Sequence, residues 1–374
     1  MKTILNAFFL LCISLLVQAQ SLSVGEKFPI ENLDFYQNKS AMKIVAFVPS
    51  LSPDCEYASM LTTALKYYFV DGLAFSEVQQ PEIDIILIVK DTDFWKKNSS
   101  LYENRNKLEG LVVIYDSLGK YYKTLNISLK NPKEISQQKA DTASTLSKKI
   151  VYKNENNEVA STLFLLDKDN DILLKDDGYK AQGEHLKPIE NKIREIQGLT
   201  CKTNTYPVLK VGDKAPDFEV SKGVLLSSVN KIKLISFYPA AFSGKLARKN
   251  VILDKLTLMY CSLQLDRLDR TNINELYGNK RYDTYAISTS TPELLALWKS
   301  ELETDFINYV NDDCHQIAQQ YSAYNYEKGY ENRASYVIDS NGIIRYIDTN
   351  FSSFEVFVPI INQLVKEESL KNKQ

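Results

Sequence analysis

Along this chain, short runs of consecutive apolar residues alternate with stretches whose apolar residues recur every three or four positions. I-V-A-F (44–47) and L-I-S-F (234–237) are unbroken apolar runs, the pattern of strands buried on both sheet faces. Each is followed by a segment with helical spacing, A-S-M-L-T-T-A-L-K-Y-Y-F (58–69) and A-R-K-N-V-I-L-D-K-L-T-L (247–258). D-K-D-N-D (167–171) and D-S-N-G (339–342) carry turn residues between two β-rich runs, which predicts a closing hairpin in each half. Terminal helices are expected at about 183–197 and 353–367. Strands alternating with helices and ending in a hairpin give α/β layers around a mixed sheet.

The pattern occurs twice. V-G-E-K-F-P-I-E-N-L-D-F (24–35) returns as V-G-D-K-A-P-D-F-E-V (211–220), and F-V-P-S-L-S-P-D-C (47–55) as F-Y-P-A-A-F-S-G-K-L (237–246). D-I-I-L-I-V-K-D-T-D-F-W (84–95) pairs with Y-A-I-S-T-S-T-P-E-L-L-A-L-W (285–298), and S-T-L-F-L-L-D-K-D-N-D-I-L-L (161–174) with R-A-S-Y-V-I-D-S-N-G-I-I-R-Y (333–346). Four matches in one order predict two superposable domains, 22–197 and 210–370, joined by the aperiodic linker 198–209.

Length agrees, since 374 residues suit two ordinary cores better than one. A net charge of −2 offers no electrostatic footprint for nucleic acid or an anionic membrane, and the 23 tyrosines are not interleaved with a basic stripe. Residues 1–19 have a short basic start, an apolar stretch and a closing small residue, Ala19, which predicts a signal peptide cleaved near Ala19–Gln20. Cys12 lies inside it as apolar filler, because Leu11 stands where a lipidation site needs a small residue. No later segment reaches membrane-spanning length without charges. A periplasmic or extracellular location follows as an expectation.

The mature chain then keeps Cys55, Cys201, Cys261 and Cys314, with three pairings open in an oxidising compartment. Cys201, in the linker, is the expected partner of Cys55 or of another chain, while Cys261 reads as helix core and Cys314 as a helix opening, paired or free. There is no C-x-x-C, and the two histidines, His185 and His315, have no partner at ligand spacing. No metal site or cofactor is therefore expected, nor a Ser–His or Cys–His catalytic pair.

The order V-G-D-K-A-P-D-F, K-L-I-S-F-Y-P, Y-A-I-S-T-S-T-P-E, N-R-A-S-Y-V-I-D-S-N-G-I-I-R-Y resembles the peroxiredoxins of the alkyl hydroperoxide reductase and thiol-specific antioxidant family through most of 210–360. Residues 22–197 resemble the same thioredoxin-like superfamily more loosely, with an S-x-x-C loop. The resemblance implies two tandem thioredoxin-like domains, each a mixed central sheet flanked by helices. It also implies a thiolate at a helix start, where backbone N–H groups and the helix dipole favour the anion. A hydroxyl three residues earlier and an arginine from a distant strand complete such a site.

Neither copy is complete. In the first, Cys55 matches the attacking sulfur and Ser52 the hydroxyl, but Ser161 occupies the arginine position and Asp54 and Glu56 flank the sulfur with negative charge. In the second, Pro239, Ser243 and Arg333 match, while Leu246 replaces the sulfur. Cys55 is thus a weakly reactive thiol or an inert residue of helix packing. Arg333 without a sulfur reads as a strand-end residue paired with a local carboxylate. Two functions follow as expectations: a redoxin whose weak peroxide or thiol chemistry rests on Cys55 and a thiol electron donor, or an inactive binding or scaffold protein of the cell envelope.

Overall fold

The computed structural model describes residues 22–30, 40–48, 56–76, 78–79, 81–90, 108–116, 118–125, 127, 161–178, 182–242, 264–266, 268–269, 282–349 and 356–371. They fall into two compact units. The first holds described residues of 1–58, 81–135 and 152–179, and the second those of 59–80 and 180–374. Residues 59–80 and 182–196, which precede the 198–209 stretch in the chain, therefore count with the second unit.

The first unit is built on strands β1 (Met42–Val48), β2 (Ile83–Val89), β3 (Leu111–Tyr115), β4 (Ser161–Leu166) and β5 (Ile172–Gly178), in the sheet order β3-β2-β1-β4-β5. β1 runs parallel to β2 and antiparallel to β4, and β4–β5 is the hairpin expected at 167–171. A short helix α2 (Lys120–Thr124) lies after β3; helix α1 (Glu56–Leu65) follows β1 in the chain. The Asp116 carboxylate accepts the Lys120 and Tyr122 backbone N–H groups at 2.6 and 3.0 Å and so starts α2. Phe47 packs edge-on against Tyr122 and Phe164, with ring centroids 5.2 and 6.1 Å apart. Truncating a buried ring such as Phe47 to alanine removes about 3–5 kcal/mol.

The second unit's main sheet uses β8 (Ile232–Phe237), β9 (Tyr282–Ser288), β10 (Ile307–Asn311), β13 (Ser335–Ile338) and β14 (Ile344–Asp348), in the order β10-β9-β8-β13-β14. Replacing each strand by its counterpart turns one sheet's order into the other's. Two small hairpins, β6 (Glu219–Ser221) with β7 (Val224–Leu225) and β11 (Tyr324–Asn325) with β12 (Tyr330–Glu331), complete its strands. Helices α3 (Gln182–Ile196), α4 (Pro292–Leu302), α5 (Gln316–Gln320) and α6 (Phe357–Lys371) belong to this unit. The core under the sheet joins Phe237, Tyr285, Ile287, Tyr321, Tyr336 and Ile338.

The recurring sequence motifs make recurring contacts. The lysine opening each apolar run is buried, and its ammonium reaches carbonyls in the following hairpin turn. Lys43 Nζ donates to Asp167 O at 3.2 Å and Lys233 Nζ to Asp339 O at 3.4 Å. Burial lowers the pKa of both, while neighbouring carboxylates pull the other way. The V-G-E-K and V-G-D-K segments bridge to β5 and β14. Gly25 N donates to Ile172 O and Gly212 N to Ile344 O, both at 2.8 Å. Gly25 and Gly212 have φ of 86° and 100°, a region that side-chain-bearing residues rarely adopt.

Candidate functional site

Strand register aligns the two candidate sites. In the first unit Phe47 pairs with Thr162, so Ser161 stands one residue past that pair, at the end of β1. In the second, Phe237 N donates to Ala334 O at 2.8 Å, which puts Arg333 one residue past the corresponding place at the end of β8. Ser161 and Arg333 thus hold the same position on their sheets. Ser161 is fully buried and its Oγ has no hydrogen-bond partner among the described residues. Ser52, Cys55, Ser243 and Leu246 lie outside the described residues.

Arg333 has a carboxylate partner among the described residues. Its guanidinium forms an ion pair with Glu184 of α3, 149 residues away in sequence, with side-chain exposures of 25% and 13%. The carboxylate is the partner expected for a strand-end arginine lacking a sulfur, but it comes from a remote helix.

The segment leaving β8 is closed as well. Tyr238, Pro239, Ala240, Ala241 and Phe242 are all buried. Ala241 N donates to Ser290 Oγ at 2.7 Å, and its carbonyl accepts from the Tyr68 hydroxyl at 3.0 Å. Burial, beside the charge of Glu190, keeps the Tyr68 phenol protonated far above neutral pH. The Phe242 ring sits between Tyr67 and Trp298, at centroid distances of 5.3 and 6.5 Å. Phe242 also has a φ of 61°, a left-handed conformation that costs a non-glycine residue about 1–2 kcal/mol and that this packing holds in place. The Ala241 amide and carbonyl are thus both taken up by side chains of the same unit.

Cys201 pairs with Cys314, across a sequence separation of 113. This corrects the expectation that Cys201 would join Cys55 or another chain. Cys314 and His315 both take positive φ, 60° and 56°, ahead of α5. The turn is held by Asp312, whose carboxylate accepts the N–H groups of Ile317 and Ala318 at 2.8 and 2.7 Å. The covalent link brings the 199–206 segment to this turn, where Asn204 N donates to Gln319 Oε1 at 2.6 Å and Tyr326 Oη to Asn204 O at 2.8 Å. No group of three or more His, Cys, Asp or Glu side chains arranged to hold a metal ion exists among the described residues.

Several charged groups that look surface-bound in sequence are buried. Lys187, Glu190 and Arg194 recur at three- and four-residue steps on α3, the spacing of a solvated ion-pair stripe. Here Lys187 Nζ meets Glu190 Oε1 at 2.8 Å with side-chain exposures of 4% and 0%. Arg194 Nε meets the same oxygen at 2.9 Å. His315 is held neutral, its pKa lowered to about 3 by burial and by the positive charges of Lys187 and Arg194. Glu184, Tyr67 and Tyr68 are the residues that sequence reasoning missed at the second site. Their signal was only their place in the two helical segments of the first repeat.

Residues 211–347 match the AhpC/TSA family. Alkyl hydroperoxide reductase E of Mycobacterium bovis and of Mycobacterium tuberculosis are each 28% identical to this chain over 148 residues, 38% of this chain and 86% of theirs. Among solved structures, Mycobacterium tuberculosis AhpC aligns with a TM-score of 0.34 at 14% identity, covering 43% of this chain and 96% of that one. A peroxiredoxin-like protein from Aquifex aeolicus aligns at 0.33 and 18%, covering 42% and 89%. Over residues 211–347, then, the chain is similar to the alkyl hydroperoxide reductase/thiol-specific antioxidant family.

Proposed function

We propose that this chain is an exported redoxin-family protein in which peroxide or thiol chemistry is weak and rests on Cys55, while its peroxiredoxin-like second unit is catalytically silent. The observation that carries the reading is the Arg333–Glu184 ion pair. A guanidinium that serves a thiolate and a peroxide must offer them its N–H groups, and here a carboxylate of the same unit occupies it. Leu246 at the sulfur position and the buried 238–242 segment point the same way.

On this reading residues 1–19 direct export, and 22–197 and 210–370 descend from one repeated redoxin unit. The same closure favours, as a second reading, a binding or scaffold role in the cell envelope: the fold is kept while the site is filled. The two separate in one experiment. Purified full-length chain, supplied with a dithiol donor, is assayed for hydroperoxide consumption beside its Cys55→Ser variant. Slow consumption abolished by Cys55→Ser supports the weak redoxin; no consumption in either supports the scaffold. Consumption that persists in Cys55→Ser overturns the assignment of chemistry to Cys55.

A further inference from the structure

The second unit contains a carboxyl group with no counter-charge. Glu331, the last residue of β12, is fully buried, and neither of its carboxylate oxygens has a well-aligned hydrogen-bond partner among the described residues. Among the described residues no cation lies within ion-pair distance of it. The ammonium whose charge acts on it, on Lys187, is already held by Glu190 Oε1 at 2.8 Å and Thr289 O at 3.2 Å. The Thr289 hydroxyl lies beside the carboxyl, but it too lacks a well-aligned partner. An anion buried in this way costs several kcal/mol, whereas a neutral acid brings a donor that Thr289 can accept.

We propose that Glu331 keeps its proton in the folded protein at neutral pH, and that losing it opens the seam between α3 and the β11–β12 hairpin, so that this seam is a pH-sensitive latch.

The groups that act on Glu331 come from several elements: Lys187 from α3, Asp312 from the turn before α5, Thr289 from the segment after β9 and Tyr324 from β11. Around them, Glu190 and Arg194 of α3 pair with or face Lys187 and His315, and Asp313 adjoins Asp312. Burial, and then the negative charge of Asp312, push the Glu331 acid well above the usual carboxylate range, against the pull of Lys187 and Thr289. Asp312 is itself pushed up to about 6 by burial, so at neutral pH it presents a charge to Glu331. His315 is neutral there and offers no relief. Across the seam, Asn191 Nδ2 of α3 donates to Gly329 O in the hairpin turn at 2.5 Å. An unpaired anion arising at Glu331 would lie in that same hairpin.

A carboxyl with a raised folded-state pKa gives stability that is fully present below the unfolded pKa and is lost as pH rises through the folded value. Each such group raises an opening constant up to about tenfold per pH unit in that window. Asp312 contributes only up to about pH 6, so above it the slope belongs to Glu331. The test is amide hydrogen exchange on the full chain, corrected for intrinsic rates and followed on α3 peptides from about pH 6.5 to 8.5. Wild type should open up to about tenfold more per pH unit, and Glu331→Gln, which keeps the shape without a titrating proton, should stay flat. Equal slopes in both, or a flat wild type, overturn the proposal. If the glutamine chain does not fold, the wild-type infrared carbonyl band of a protonated carboxyl at neutral pH decides. Its presence, and its loss together with α3 protection as pH rises, support the latch; its absence overturns it.

Discussion

Removing the Cys201–Cys314 bridge tests how the 199–206 segment and the turn before α5 are held. The bond closes a loop with a sequence separation of 113. Chain entropy for a loop of that size gives about 4.8 kcal/mol at 25 °C as an upper figure, and measured bridges more often yield about 2–4 kcal/mol. The double variant Cys201→Ser/Cys314→Ser should therefore lose about 2–5 kcal/mol. With a urea slope near 3 kcal/mol/M, that is a midpoint about 0.7–1.7 M lower than for the oxidised wild type. The slope itself should rise, because the uncrosslinked unfolded chain is less compact. A second readout is local. Three side-chain-mediated hydrogen bonds, through Gln319 and Tyr326, are what remain to hold Lys202 and Asn204. Proteolytic nicking should accordingly appear in the exposed 199–206 stretch of the double variant before either core opens. Unchanged midpoint and slope, with no new nick, would refute the reasoning.

Other outcomes follow from the same contacts. Tyr68→Phe removes the hydroxyl that donates to the buried Ala241 carbonyl and should cost about 1–3 kcal/mol in urea titration without disturbing the fold. Glu184→Gln should destabilise the second unit through the loss of a charge-assisted pair, yet hydroperoxide consumption should not rise, because Leu246 offers no nucleophile. His315 has a folded pKa lowered to about 3, so its contribution is present above the unfolded value of about 6.5 and is lost as pH falls through 3. His315→Phe should make the acid limb of the stability profile shallower over that range, read by denaturation at stepped pH.

The sheets were legible because their signal is local and doubled. I-V-A-F and L-I-S-F are too apolar for any place but a two-sided sheet interior, and D-K-D-N-D and D-S-N-G turn where the hairpins turn. The equivalence of Ser161 and Arg333 was readable too, since strand register carries sequence spacing directly into space. What could not be read was which surface each helix covers. A stripe such as Lys187–Glu190–Arg194 has the same spacing whether it faces water or a neighbouring strand, and only the tertiary contact decides. The disulfide escaped for a related reason. Four cysteines allow three pairings, and nothing in the spacing of Cys201 and Cys314 shows that two consecutive left-handed residues bring the second to the first.

Catalysis needs donors that are fixed yet unoccupied, waiting for charge that develops only in the transition state. Folding favours the opposite, because a buried donor without a partner costs about 1–3 kcal/mol. Once a nucleophile is lost, nothing opposes that second tendency. Among the described residues of the second unit these groups are engaged: Arg333 by Glu184, the Ala241 amide by Ser290, its carbonyl by Tyr68, and the Phe242 ring by Tyr67 and Trp298. Three of those partners, Glu184, Tyr67 and Tyr68, come from segments that lie in the first repeat by sequence. Restoring a sulfur by Leu246→Cys would therefore not restore a site. The new thiol would find its arginine already neutralised and the approach through 238–242 filled. We expect Leu246→Cys to show no gain in hydroperoxide consumption, and Leu246→Cys with Glu184→Ala to show a gain over the single variant. The converse order, activity from Leu246→Cys alone, would mean that the Arg333–Glu184 pair opens readily and that the loss of the sulfur was the only barrier.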